Sequence, residues 1–549
     1  MGAETNEFIA ALVADPAFLK GLGVALAGGE LGALLKADTV STATGLNWYD
    51  LRPVVQLLYP YKELIPLISR LPRVSGAGGT GYHWKRVVSI NNGNLAAGVG
   101  EGQRGARISL TEQDMQATYK TIGLESSVTF QAGWANGQLD PNNRAIATQS
   151  TLRSVMIQEE QSLIFANASQ ALATTPTPSL TNNTGATNGL WGATVTVYVI
   201  CVALTGIGAL NYLPYNASTG IGGVPGQVTK VNADGSTNIY GGGSAKPSAE
   251  ASVGSVTTAE TVTATVAAVN GAVGYAWFVG TTSGQETLAG ITPVNRATFT
   301  KPGALVQPVT NLQVGGLYQD NSVNQFLPDG LIPILTNAIF GAAPGTSMAT
   351  SSALPTVVSS GDTLTISAAG ALIYTMRGTN LGLTISGTNV SEWDAILQGA
   401  YDQYKVGFNR ILMSSADLSY NMGAFFASGA AAQFKILFDA ADDTGQITAG
   451  RRVNSYFNKF FGNTLDIDIH PYMPPGIIIF WSDRIPYELS GIANIFEAHV
   501  RQDYYEVQWP WATMRHEFGV YVDEVFSCYF PPAFGMIVNL NSAATSPSF

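Results

Sequence analysis

Apolar and polar positions divide this chain into helical and extended stretches that follow one another in a definite order. Near the start, Glu7-Phe8-Ile9-Ala10-Ala11-Leu12-Val13 reads as a short apolar helix stopped near Pro16, and a second, Ala17 to Leu35, is broken by Gly21, Gly23, Gly28 and Gly29. Short isolated helices are marginal in water, so both need a surface to lie against. From Tyr82 to Phe130 a period of two takes over. Tyr82 to Ile90 is an outgoing arm, Ala117 to Leu124 a return, and a Gly- and Asn-rich tip, Asn91 to Gly105, lies between them. A two-stranded ribbon of this kind has no core of its own and is expected to reach onto a neighbour.

Asp140-Pro141 predicts a helix start, with a capping Asp and Pro at the first helical position. Arg144 to about Ala168 follows without Gly or Pro, a helix of roughly 40 Å at 1.5 Å per residue. Leu152, Val155, Met156 and Leu163 give it one apolar side, and Glu159 and Glu160 read as its solvated face rather than a catalytic pair.

From Trp191 to Thr300 the charges thin to Lys230, Asp234, Lys246, Glu250, Glu260, Glu286 and Arg296. Val195, Val197, Val199, Cys201 and Ala203 alternate with their neighbours, as do Val262, Ala264 and Val266, and Tyr275, Trp277 and Val279 share one face of a later strand. Asn270-Gly271 predicts a hairpin turn. Short strands with such turns predict a β-sandwich, read as an inserted module over 191–305. The stretch Val269-Asn270-Gly271-Ala272-Val273-Gly274-Tyr275-Ala276-Trp277 resembles an immunoglobulin-like or fibronectin-type-III strand pair.

Beyond the module, Ser391 with Asp394 predicts a capping box, and Trp393, Ile396, Leu397, Ala400, Tyr401 and Tyr404 fall at helical spacing. A further helix is expected near Ala416 to Ala440, a buried strand at Gly476 to Trp481, and a strand-rich end from Tyr504 to Asn541 carrying Trp509, Trp511, Phe518, Tyr521, Phe526, Tyr529 and Phe530.

Composition sharpens this picture. Charged residues make up 12% of the 549 positions and hydrophobic ones 46%, against about 25% charged in a typical soluble domain. Either the chain sits in a membrane or other subunits cover much of its surface. No window reads as a transmembrane helix, which needs about 20 consecutive apolar residues. The start, Met1-Gly2-Ala3-Glu4-Thr5-Asn6-Glu7, lacks a basic signal-peptide region and, with Asn6 where Ser or Thr is wanted, the myristoylation pattern. A cytosolic chain covered by other subunits is the expectation. Cys201 and Cys528 then read as buried thiols. A net charge of −11 argues against a nucleic-acid reader, but not against a wall that encloses nucleic acid.

The search for chemistry yields little. Gly100-Glu101-Gly102-Gln103-Arg104-Gly105 matches GxGxxG, but Ala106 to Leu110 look extended where dinucleotide binding needs a helix, so it reads as the ribbon tip. Asp466, Asp468 and His470 alternate along one strand face and are weak metal candidates, since i, i+2, i+4 side chains spread over about 13 Å. A polar sheet face is the plainer reading. Asp439, Asp442, Asp443 and Gly445 miss the EF-hand spacing. No catalytic residue and no cofactor is called for.

The order of arm, long hairpin, long helix, mixed domain and closing strands resembles the major capsid protein of tailed bacteriophages, the Hong Kong ninety-seven-type fold. The likeness is carried by the hairpin and the helix after Asp140-Pro141, by Gln325-Phe326-Leu327-Pro328-Asp329-Gly330-Leu331-Ile332, and by Arg515-His516-Glu517-Phe518-Gly519-Val520-Tyr521 leading to Phe534-Gly535-Met536. The resemblance implies an α+β capsid fold carrying an inserted all-β sandwich. Residues 1–55 would be the N-terminal arm, 56–81 a peripheral-domain lead-in, 82–130 the E-loop, and 131–190 the peripheral domain with its spine helix. The module at 191–305 would project from the shell, 306–345 return to the peripheral domain, 346–500 form the axial domain, and 501–549 supply the last peripheral strands. It further implies a non-enzymatic subunit that self-assembles as hexamers and pentamers into an icosahedral head around double-stranded DNA, without sequence-specific DNA binding and without a membrane. The head would be assembled in the bacterial cytoplasm with separate scaffold and portal proteins and a decoration protein as further partners. Phe8, Leu12, Arg104 and Arg107 are the intersubunit contact candidates. The short, weakly charged arm departs from members that carry an internal scaffold, and the tip lacks the Lys through which some members crosslink. Competing readings are another β-sandwich phage structural protein, of tail or adhesin type, and a carbohydrate-active enzyme, which would need a carboxylate pair in a cleft.

Overall fold

A computed structural model of the chain describes residues 65–76, 78–90, 98–105, 110–136, 143–336, 354–355, 361–367, 369–376, 382–386, 389–419, 455–483, 494–511, 513–541 and 548–549. The expected arm, with Phe8 and Leu12, lies outside them. So do Asp140-Pro141, Arg107, the acidic run at Asp439, Asp442 and Asp443, and the helix expected over 416–440 beyond its first turn at 415–419.

The long helix is present as Asn143–Phe165. Val155 and Leu163 are buried, while Leu152 and Met156 pack at the margin of the same core. Its C-terminal exit is tied down by side chains: Asp329 Oδ1 accepts the Ala168 and Ser169 amides at 2.7 and 3.0 Å. These bonds satisfy donors that the chain exposes as it leaves the helix.

The helix lies on a four-stranded sheet ordered Arg73–Ser75, Phe496–Gln508, Arg515–Cys528, Lys120–Thr129. The two long central strands pair antiparallel through Phe496↔Cys528 to Gln508↔Phe518, with two register shifts between. Alternation places Val520, Val522 and Phe526 of the third strand in the core.

The expected hairpin over 82–130 divides in two. Gly81–Ile90 and Leu110–Thr118 form an antiparallel two-stranded ribbon, but Lys120–Thr129 leaves it and pairs with Arg515–Cys528. The ribbon is not without a support in its own chain. Trp84, Met115 and Tyr529 form a small apolar cluster at its root, Trp84 Nε1 donates to Cys528 O at 3.1 Å, and the Val87 amide donates to Tyr529 O at 2.9 Å.

A seven-stranded mixed sheet is ordered Thr363–Ile366, Leu372–Thr375, Phe534–Val538, Ile478–Trp481, Arg410–Met413, Asn463–Ile469, Ser455–Asn458. Ile478, Ile479 and Phe480 are fully buried, as the run of apolar residues predicts. Phe534–Val538, expected among the closing peripheral strands, fills an interior position between Leu372–Thr375 and Ile478–Trp481. The helix Ser391–Tyr404 packs on this sheet through Trp393, Ile396, Leu397 and Ala400, with the Trp393 ring edge-on to Tyr456 and Phe480.

The capping box expected from Ser391 and Asp394 does not form. Val390 is the N-cap and makes no side-chain cap bond, while Asp394 accepts from Tyr456 Oη at 2.8 Å and Lys459 Nζ at 2.6 Å. Instead the Glu392 carboxylate takes the Thr384 amide of the preceding segment, at 2.8 and 3.0 Å. Tertiary partners outcompete the local cap because they neutralise Asp394, which the backbone N–H cannot do.

Between these parts lie two further sheets. One has four strands, ordered Ala251–Val256, Val195–Leu204, Gly274–Gly280, Thr287–Thr292. The other has three, ordered Arg296–Phe299, Thr261–Thr265, Ser179–Asn183. Val197, Val199, Cys201, Tyr275, Trp277 and Val279 of the first share one apolar cluster with Val262, Ala264, Ala297 and Phe299 of the second. The opposite face of the first sheet is also buried, where Ile200, Val202, Ala276 and Phe278 meet Val224, Val309 and Leu312. The strand Ser179–Asn183 precedes the expected start at 191, and Ser548 bridges to Thr298 from the far end of the chain. Asn270-Gly271 is a turn, with Gly271 at φ +84°, but it carries the chain from one sheet to the other and does not close a hairpin.

Candidate assembly surface

The far end of the long antiparallel strands carries a cluster of exposed aromatic residues. Gln508 ends one strand, Arg515 begins the next, and the connection contains Trp509-Pro510-Trp511. Proline removes a ladder donor and stops the strand there. The neighbouring strand ends at Thr129 and passes into the one-turn-and-more helix Phe130–Asn136. These two ends meet: the Phe130 amide donates to Met514 O at 3.2 Å, and the Phe130 ring stacks at 6.3 Å on Trp134 and edge-on at 5.5 Å to Trp511 and 4.6 Å to His516. The outer members are left to solvent, Trp134 at 74%, Trp511 at 72% and Met514 at 62% exposure, with Trp509 at 41%. Exposed apolar groups occur singly on any protein, but a contiguous aromatic cluster marks an interaction site. Tryptophan is also the residue type most enriched where interfaces concentrate their energy.

Of the expected contact residues, only Arg104 is described, exposed in the turn closed by the Gln103 amide on Gly100 O at 3.0 Å. Arg104 is not part of the aromatic cluster described here. Trp509 and Trp511 were visible in the sequence as strand content, and Trp134 carried no signal. The clue available was a pair of tryptophans flanking a proline, where a strand cannot continue.

The metal candidates go to different partners. Asp466 is exposed. Asp468 Oδ2 lies 2.8 Å from Arg70 and 3.6 Å from Arg410, which also reaches Asp483 at 3.1 Å. His470 is buried, with Nε2 at 2.6 Å from Glu160 Oε1 and Nδ1 accepting the Tyr472 amide at 3.2 Å. An accepting Nδ1 places the ring proton on Nε2, which donates to the carboxylate. Among the described residues no group of three or more His, Cys, Asp or Glu could hold a metal ion.

The pair read as a solvated face, Glu159 and Glu160, is instead fully buried. Glu160 accepts the Leu67 and Ile68 amides, both at 2.8 Å, besides His470. Glu159 accepts from Arg73 and from the Tyr504 hydroxyl. Arg73 also pairs with Asp503 at 2.9 Å but stands 3.9 Å from Glu524, whose two buried oxygens have no donor. Burial, and next the Glu159 charge beside it, hold the Glu524 carboxyl protonated well above the ordinary carboxylate range. The group joins the long helix to three strands of the four-stranded sheet; Glu159 and Glu524 are fully buried, and it opens to solvent on the side of Asp503. Cys201 and Cys528 are free and buried, and burial pushes the Cys528 thiol up to about 12.

No family model and no curated protein matches the sequence. Among solved structures, the chain is similar to one from the satellite phage P4 procapsid with its size-determination protein, at TM-score 0.34 and 7% identity over 93% of this chain and 96% of that one. It is similar to a chain of the capsid of a native GTA particle, at TM-score 0.37 and 7% identity over 92% and 96%. A third similar structure is a virus-like particle from Pyrococcus furiosus, at TM-score 0.31 and 8% identity over 88% and 98%.

Proposed function

We propose that this chain is a structural subunit that associates with further copies of itself into a closed shell, and that it serves as the major capsid protein of a phage head. The observation that carries the reading is the exposed pair Trp134 and Trp511 around Phe130, with Trp509 and Met514 exposed in the same connection, at the tip of the longest strands. A chain with 12% charged residues that also leaves tryptophans in water is incomplete as a lone protomer. Copies meeting through this tip withdraw aromatic surface from water at about 25 cal/mol per Å². A closed lattice multiplies modest contacts through multivalency.

The finer reading extends this. Hexamers and pentamers form the head around packaged DNA, the two-sheet region built from Ser179 to Phe299 is an immunoglobulin-like module standing on the shell, and separate scaffold, portal and decoration proteins are its partners. The subunit works by packing rather than by catalysis. Light scattering and negative-stain microscopy of the purified chain, alone and with its scaffold, test it. Closed particles of megadalton mass are expected, and a chain that stays monomeric under both conditions would overturn the reading.

A further inference from the structure

We propose that His499 is an acid-sensitive latch on the two-stranded ribbon: the neutral imidazole holds Tyr82 at the ribbon root, and protonation releases the ribbon while the body of the subunit stays folded. His499 lies in the long strand Phe496–Gln508, opposite Val525 of Arg515–Cys528 and Val74 of Arg73–Ser75. Tyr82 is the second residue of the ribbon strand Gly81–Ile90. Its ring lies flat on the imidazole, with centroids 3.8 Å apart and planes at 21°. A hydrogen-bonded chain closes the contact: His499 Nε2 is 2.9 Å from Tyr529 Oη, and Tyr529 Oη is 3.0 Å from Tyr82 Oη. The ribbon thus meets the four-stranded sheet through a stack whose one imidazole changes charge near neutral pH.

The surroundings of the ring favour its neutral form. His499 is buried, and its Nδ1 has no hydrogen-bond partner. In the neutral ring Nε2–H donates to Tyr529 and Nδ1 is a bare acceptor. Protonation puts an N–H on Nδ1, and a buried donor on a charged group is costly without an acceptor. The neighbouring elements give little relief. Val74 and Val525 are apolar, Tyr82 and Tyr529 bring hydroxyls to the Nε2 side, and Arg501, two positions on, is engaged with Asp523 at 2.8 Å. Glu497 Oε2 lies 3.6 Å from Nε2. Burial outweighs that carboxylate and holds the imidazole below its ordinary value of 6.5. The Tyr82 face attracts a cation, but it offers Nδ1–H no acceptor. Lifting Tyr82, itself half-buried, admits water that can accept from Nδ1 and hydrate the charge. Because the histidine value is lowered in the fold, attachment of the ribbon is complete above the unfolded value of about 6.5 and is lost as pH falls through it. The latch acts within one protomer, whether or not copies associate.

The test is hydrogen exchange of the full chain about one pH unit above and about one unit below the unfolded histidine value, expressed as protection factors. Protection across Gly81–Ile90 and Leu110–Thr118 is expected to fall by up to about tenfold at the lower pH, while Ile478–Trp481 keeps its own. His499→Gln retains a side-chain donor for Tyr529, and His499→Phe retains the stack. Neither titrates, so both are expected to remove the pH response of the ribbon, whatever they do to its baseline. His83→Gln, at the exposed histidine of the same ribbon strand, is expected to keep the response. Ribbon protection equal at the two pH values, a response that survives in the His499 variants, or an equal loss in the ribbon and in Ile478–Trp481 would overturn the proposal.

Discussion

At the scale of single residues, the buried group around Glu159 and Glu524 shows charge placed where the core would otherwise exclude it. The groups facing Glu524 are Glu159 from the long helix, Arg73 from its short strand, and Asp503 and Tyr504 from the adjoining long strand. The Glu524 carboxyl titrates higher in the fold than its unfolded value of about 4.3. Its contribution to stability is therefore complete below that value and is lost as pH rises through the raised one. Each unit of upward shift corresponds to about 1.4 kcal/mol. Thermal unfolding between pH 5 and 9 is expected to show a falling melting temperature for the native chain. Glu524→Gln stays neutral throughout, so its curve should be flatter and lie higher at pH 9. Parallel curves for the two proteins would contradict this assignment. The sequence could not show such a group. Glu159 meets Arg73 and Tyr504 from 86 and 345 positions away, and Glu160 meets His470 from 310, so two adjacent acids on a helix read as solvated.

At the scale of elements, periodicity carried what depends on a local face, and long-range pairing decided the rest. The long helix and the apolar positions of Ser391–Tyr404 follow from spacing, as do the inward residues Trp277 and Val279 and the buried run Ile478 to Phe480. What spacing could not give was the partner. The stretch from Ala117 to Leu124 reads as one return arm, yet Thr118 ends the ribbon and Lys120 begins a strand of a different sheet. Likewise Asn270-Gly271 is a turn in either arrangement, and only the sheet order shows that it crosses between layers. The ribbon depends on its root, where Trp84 is buried against Met115 and Tyr529 and bonded to Cys528 O. Trp84→Ala removes that anchor, at a cost of about 3–5 kcal/mol. Hydrogen exchange should then rise across Gly81–Ile90 and Leu110–Thr118, while Ile478–Trp481 keeps its protection. Equal loss of protection in both places would show the ribbon root to be part of the main cooperative unit.

For the whole molecule, the exposed tryptophans and the low charge make association the property to measure. Trp134→Ala with Trp511→Ala takes away side chains that contact nothing essential to the protomer's core, so the doubly altered chain is expected to fold with an unchanged circular dichroism spectrum. Truncating a tryptophan at the centre of an interface typically costs 2 kcal/mol or more, roughly 30-fold in each contact, and repeated around a shell this should leave small species in sedimentation. Particles of undiminished yield from the double variant would move the contact surface elsewhere on the subunit. The seven-stranded sheet adds a constraint on when association can begin. Phe534–Val538 lies inside that sheet, joining Leu372–Thr375 on one side to Ile478–Trp481 on the other, and it is the last of the seven to leave the ribosome. Until then the two flanking groups of strands have open edges and no common middle. A nascent chain cannot complete its own sheet, so those edges stay open to pairing with other chains until translation has passed the point that closes it.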